Sequence, residues 1–159
     1  MFQTYSIKWK PLIISILICL GVGALAGVLT MGSMETYKSL EQPPLAPPSI
    51  VFPIVWSILF ILMGISAYFV YISRSELKKP ALILFAIQLV MNFCWSIIFF
   101  NMKLYLFAFV WLVLLWILIL IIIIIFYRIK KLSAYLLIPY LLWITFAGYL
   151  NLGIYYLNR

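Results

Sequence analysis

The groups able to do chemistry in this chain are neutral ones, and they recur at helical spacing. Gln88, Asn92 and Ser96 stand at i, i+4 and i+8, so a helix through them has one polar face, with the rings of Trp95 and Phe99 beside it. Tyr140, Trp143, Ala147 and Asn151 follow at intervals of 3, 4 and 4, a second face with a small residue in its middle. Phe52, Trp56 and Phe60 make an aromatic stripe with Gly64 below it. Such groups hold a ligand by ring contact, shape and neutral hydrogen bonds. Asn92 and Asn151 equally suit a structural duty, bonding across helices for about 1 kcal/mol, and spacing leaves both readings open. Trp143 lies ten residues into the last apolar run, roughly 15 Å from its start. That is too deep for an interfacial belt, so its indole N–H requires an interior partner.

What is missing narrows the chemistry further. The 159 residues include no His and no Asp, and the 3 acids are Glu35, Glu41 and Glu76. A Ser-His-Asp triad, a His-ligated metal site and a His proton relay are therefore excluded. Cys19 and Cys94 sit within apolar runs and are too few for a metal cage, so neither a metal nor a cofactor is expected. No ionisable acid or base other than Cys or Tyr lies inside an apolar run, which argues against ion-coupled pumps and carriers.

The elements that must position these faces are membrane spans. Hydrophobic residues make up 68% of the chain and charged ones 9%, against about 45–50% and about 25% in soluble domains. Charge-free stretches cover 11–34, 42–73, 80–102, 104–127 and 132–158, each longer than the roughly 20 residues that cross a bilayer. The pattern predicts helices over 11–31, 51–72, 80–101, 105–127 and 133–157. This is an all-α membrane protein, a five-helix transmembrane bundle formed as one domain over 1–159. Pro11, Pro53 and Pro80 fall in first turns, where a missing N–H costs nothing, whereas Pro139 lies inside the fifth span and is predicted to kink it. The one long connection, 32–50, carries Pro43, Pro44, Pro47 and Pro48, and reads as a stiff folded lid or, alternatively, as a spacer. The three faces are expected to converge on a cavity opening toward it.

Net charge is +8, but the basic residues sit in short clusters between the runs, a topology signal rather than a nucleic-acid footprint. Lys8, Lys10, Arg74, Lys78, Lys79, Arg128, Lys130 and Lys131 fall on the side of the N-terminus, against Lys38, Lys103 and Arg159 on the other. The N-terminus is thus expected in the cytoplasm, with inverted or dual insertion the alternative, and anionic lipid head groups are the expected partners of these charges. Ala24-Leu25-Ala26 resembles a signal-peptide cleavage site, yet the apolar run continues past it, so the first helix is retained. Gly23-x-x-x-Gly27 predicts close packing against another helix, a second subunit or a flat ligand.

At this point the residues resemble a known family. The run Pro43-Pro44-Leu45-Ala46-Pro47-Pro48, then Val51-Phe52-Pro53-Ile54-Val55-Trp56 and Leu62-Met63-Gly64, is similar to the signature of the TspO/MBR family, the tryptophan-rich sensory and mitochondrial translocator proteins. Gln88-Leu89, Asn92, Trp95-Ser96 and Phe99-Phe100 match its third helix, and Pro139-Tyr140, Trp143, Ala147, Leu150-Asn151 and Asn158 its fifth. Gly23, Ala26-Gly27 and Thr30 match its first. The resemblance implies a receptor for porphyrins such as protoporphyrin IX and for similar planar drugs, with cholesterol bound by animal members. It implies a site lined by Gly27, Tyr37, Trp56, Phe60, Asn92, Trp95, Trp143 and Ala147; Asn151 matches too, and Ser96 joins by spacing. Light-dependent porphyrin degradation has been proposed for the family, and here Trp56 or Trp143 would supply the electron. The alternative is passive translocation of porphyrin, sterol or lipid. A bacterial cell membrane, a homodimer and no nucleic-acid partner complete the expectation. Leu45 stands where many members have Trp, and Phe60 where Tyr is common.

Overall fold

A computed structural model describes residues 6–159. Apolar, breaker-poor runs become helices because a backbone in lipid must satisfy its own hydrogen bonds. The order is α1 (Trp9–Thr30), a 3-10 turn (Met31–Ser33), α2 (Met34–Ser39), α3 (Val51–Tyr71), α4 (Lys78–Ser96), a π-helical turn (Ile97–Asn101), α5 (Tyr105–Ile129) and α6 (Lys131–Leu157). Among the described residues there is no strand, and five helical segments are long and apolar enough to cross a membrane. The protein is an all-helical, multi-pass membrane bundle.

Pro11, Pro53 and Pro80 each occupy a first turn, as expected. Two boundaries differ from expectation. The first helix does not give way to a loop at 31: the 3-10 turn passes it to α2, and the span runs Trp9–Ser39. Gly32 and Ser33 and the charges of Glu35 and Lys38 read as an end of hydrophobicity, but a helix leaving the hydrocarbon need not unwind there. The lid is therefore only 40–50. The third span closes in a π turn, with Met102 N–H donating to Ile97 O at 3.0 Å. Pro139 lies within α6, whose helix is assigned without interruption across it.

α5 and α6 are antiparallel neighbours joined by the single extended residue Lys130 (φ −154°, ψ 119°). α3 packs on α6, α4 on α5 and α1 mainly on α3. Met63, Val70, Leu115 and Phe126 are among the side chains wholly removed from solvent. Ser66 ties α3 to α6 by donating to Ser133 O at 2.7 Å.

The α1–α3 contact is graded along its length. At one end Lys8 N–H donates to the Tyr68 hydroxyl at 2.8 Å and Ser15 Oγ to Gly64 O at 2.7 Å. The helices are so close there that a Cβ on Gly64 would lie 2.5 Å from Ile16 Cα. At Gly23 the same atom would meet the Phe60 ring instead, and at Gly27 it would meet nothing within 4 Å. Close helix packing thus falls on Gly64 and Gly23, whereas Gly27 packs on no other helix, which leaves the second-subunit and flat-ligand alternatives for it: α1 leaves α3 toward the lid end.

Candidate ligand-binding cavity

In the space left by that divergence, α1, α2, α3, α4 and α6 enclose a cavity of about 680 Å³, within the roughly 300–1,000 Å³ typical of small-molecule sites. α5 contributes nothing to its lining. Because the first span stays helical through the 3-10 turn, Gly23, Gly27, Thr30, Met34, Tyr37 and Lys38 come onto one wall. The opposite walls carry Trp56 and Phe60 from α3, Asn92, Trp95 and Ser96 from α4, and Ala147 and Asn151 from α6.

Of the ten residues expected at the site, nine line it: Gly27, Tyr37, Trp56, Phe60, Asn92, Trp95, Ser96, Ala147 and Asn151. Trp143 does not. Its ring packs edge-on at 6.0 Å against Phe52, which does line the cavity, and tilts against Phe146 at 5.6 Å. The reason lies in helical geometry: at about 100° per residue, Trp143 is offset by roughly 40° from Ala147 and roughly 60° from Tyr140, so it sits on the shoulder of the face. The interior partner expected for its indole is also missing, since Nε1 is buried with no hydrogen-bond partner.

The polar groups are held by one another. Tyr140, fully buried, donates to Gln88 Oε1 at 2.8 Å and accepts from Asn92 Nδ2 at 2.7 Å. Gln88 Nε2 rests on Met63 Sδ at 3.8 Å. Trp95 Nε1 donates to Asn151 Oδ1 at 3.1 Å, and Asn151 Nδ2 donates to Tyr105 O at 2.8 Å. Both duties left open for the two asparagines are therefore combined: each bonds across helices and each faces the cavity. The aromatic wall is braced in the same way. Trp95 stacks on Phe99 at 5.3 Å, Phe100 meets Tyr37 edge-on at 5.3 Å, and Trp56 tilts over Phe60 at 5.6 Å. The π turn presents the adjacent residues Phe99 and Phe100 to the same cavity, a common use of π geometry.

The lid is fastened to α6. Asn158 accepts from Glu41 N–H and donates to Glu41 O, both at 2.9 Å, and Tyr149 donates to Pro44 O at 2.7 Å. Gly153 lies under Pro43, where a Cβ would stand 2.6 Å from the ring. Leu45, at φ 70°, turns the loop outward, and Ser49 and Ile50 bring it back to the cavity rim. Asn101 holds the α1 end by donating to Leu29 O at 2.9 Å and accepting from Ser33 Oγ at 2.6 Å.

Electrostatically the lining is bare except for Lys38, its one charged side chain, at the lid end. A side opening also exists: Ala24 and Gly27 on α1 and Pro53 and Ser57 on α3 both line the cavity and remain exposed. Ser57 lies six residues into α3, about 9 Å below its start, so this opening faces hydrocarbon. Met34 and Ile154 were not among the expected site residues, whereas Phe52 lines the cavity as part of the expected aromatic stripe. The signal for Met34 was the 3–4 spacing continuing from Gly27 and Thr30 beyond the apolar run.

The chain is similar to known proteins over most of their length. It is 40% identical over 144 residues to tryptophan-rich protein TspO of Chlorobaculum tepidum, covering 89% of this chain and 91% of that one. It is 31% identical over 147 residues to the tryptophan-rich sensory protein of Cereibacter sphaeroides, covering 92% and 91%. Against the translocator protein of Bos taurus it is 31% identical over 148 residues, covering 90% and 87%. A profile of the TspO/MBR family matches residues 15–157, the whole cavity and its lid included, and the chain belongs to that family.

Proposed function

We propose that the protein is a membrane receptor for a planar, amphipathic, carboxylate-bearing aromatic macrocycle, with metal-free protoporphyrin IX as the reference ligand. The observation that carries this reading is the lining itself: an almost wholly apolar, aromatic cavity with one cation, Lys38, at its lid end. Rings would lie against Trp56, Trp95 and Phe60, each favourable aromatic pair adding about 1 kcal/mol beyond burial. Carboxylates would remain at the lid, near Lys38. No imidazole exists to bind iron axially, which favours the metal-free ring. Titration with protoporphyrin IX in the dark, followed by Trp fluorescence, tests this: saturable quenching weakened by Trp56→Phe and by Lys38→Gln is expected, and quenching that never saturates would sink it.

A second reading, passive movement of the same ligand or a sterol, is favoured by the side opening between α1 and α3. Flux of porphyrin between sealed vesicles separates it from pure reception. Photo-oxidative breakdown of bound porphyrin rests on Trp56, whose indole faces the cavity, more than on Trp143, which stands behind Phe52. The end bearing eight basic residues is assigned to the cytoplasm; labelling of a cysteine placed beside Lys79 in intact cells checks it. A homodimer suits Gly21, where an added Cβ meets nothing within 4 Å, and Gly21→Cys cross-linking would reveal it.

A further inference from the structure

α5 takes no part in the cavity, yet with α6 it forms a second recess at the opposite end of the bundle. The recess holds about 240 Å³, with Ile123, Ile124 and Ile138 along its sides and small, buried Ala134 at its floor. Tyr127 and Tyr135 frame its upper part, their rings edge-on at 6.1 Å. It opens on the outer face of the bundle, since Ile124, Tyr127, Tyr135 and Ile138 are all exposed there. Ile123 lies seven residues from the Lys130 corner, about 10 Å deep, so the apolar part is at hydrocarbon depth and the tyrosines are at the interface where such rings settle.

Charge stands at the top of this recess alone. Arg128 lines it, and Lys131 Nζ lies 5.4 Å over the Tyr127 ring, which keeps that ammonium on the recess side. Lys130 turns the other way, with Nζ 5.0 Å from the Phe69 ring of α3. The one acid at this end of the bundle, Glu76, belongs to the α3–α4 connection together with Arg74, Lys78 and Lys79. The result is an apolar slot, sized for a stretch of one acyl chain, beneath two cations.

We propose that the α5–α6 recess binds one anionic phospholipid, its acyl chain between Ile124 and Ile138 and its phosphate at Arg128 and Lys131. A zwitterionic lipid carries its own cation and gains less from the pair, whereas a net negative head group is attracted by each. The site is independent of the porphyrin reading, because no residue is shared between the two.

The test is native mass spectrometry of the full chain, delipidated in neutral detergent and titrated with an equal mixture of phosphatidylglycerol and phosphatidylcholine of the same chains. One phosphatidylglycerol is expected to be retained about tenfold or more over phosphatidylcholine. Arg128→Gln with Lys131→Gln should abolish the preference, while Lys78→Gln with Lys79→Gln, which removes the same charge from the same end, should keep it. Ile138→Trp, which fills the slot and leaves the charges, should reduce retention. All five substituted side chains are exposed or half-buried, so folding is preserved. Equal retention of the two lipids by the wild type, equal loss in both charge pairs, or full retention by Ile138→Trp would each overturn the proposal.

Discussion

The hydroxyl of Tyr140 accepts from Asn92 Nδ2 at 2.7 Å while giving its own proton to Gln88 at 2.8 Å. That order of donors fixes the Asn92 amide: its NH2 points at Tyr140 and its carbonyl is left for the cavity. Tyr140→Phe removes both bonds and strands two buried amides, each costing about 1–3 kcal/mol. The variant should melt at lower temperature in detergent and bind porphyrin more weakly. An unchanged melting temperature would mean that the amides re-pair within the core.

Gly64 and Gly27 offer a matched pair. At Gly64 an added Cβ meets backbone of Ile16, which cannot yield without moving α1, so Gly64→Ala should destabilise by about 1–3 kcal/mol as overpacking does. Gly27→Ala meets open space, so its stability should stay within about 0.5 kcal/mol of wild type. Denaturant unfolding of both in one detergent decides; equal losses would contradict the graded α1–α3 contact.

The lid has its own fastening. Asn158→Ala deletes the two bonds to Glu41 and a third to Ile154 O at the last turn of α6, each worth about 0.5–1.5 kcal/mol, and leaves the other helices untouched. Porphyrin should dissociate faster by roughly tenfold, with global melting little altered. Stopped-flow displacement reads this directly, and an unaltered off-rate would show that the lid does not control release.

Trp143 and Trp56 should behave differently although both are indoles packed against aromatic neighbours on α3. Trp143→Phe replaces an indole whose buried N–H is unpaired, so stability should hold or rise by about 1 kcal/mol. Porphyrin affinity should fall less than in Trp56→Phe, which strips the cavity wall. If illumination yields a porphyrin product, Trp56→Phe should slow it more; the reverse order, read from absorption spectra, would place Trp143 against the ligand after all.

Much of this is legible in the residue pattern alone. Hydrophobic run length gave five spans because the bilayer imposes one length on every crossing, and 3–4 spacing gathered Asn92, Trp95 and Asn151 because helix geometry is nearly invariant. Trp143 escaped the same logic, since a 3.6-residue period places face and shoulder only tens of degrees apart. The α2 extension was hidden for another reason: polarity marks where the membrane ends, not where a helix does. The π turn at Ile97–Asn101 left no compositional trace, and the Asn158–Glu41 link joins residues 117 apart, beyond any local pattern.

α1 is the least buried of the long helices, with only Cys19, Ala26 and Thr30 buried along it, yet with α2 it builds a whole wall of the cavity. Its anchors are at the two ends, Lys8 and Ser15 on α3 at one and Leu29 on Asn101 at the other. Between them Gly64 against Ile16 and Gly23 against Phe60 lock α1 to α3, and only beyond Gly23, around Gly27, is its cavity face free of helix contacts. Within a lineage, ligand preference can be retuned by substitutions on the open part of one helix, around Gly27, without each change having to be repaired in the core.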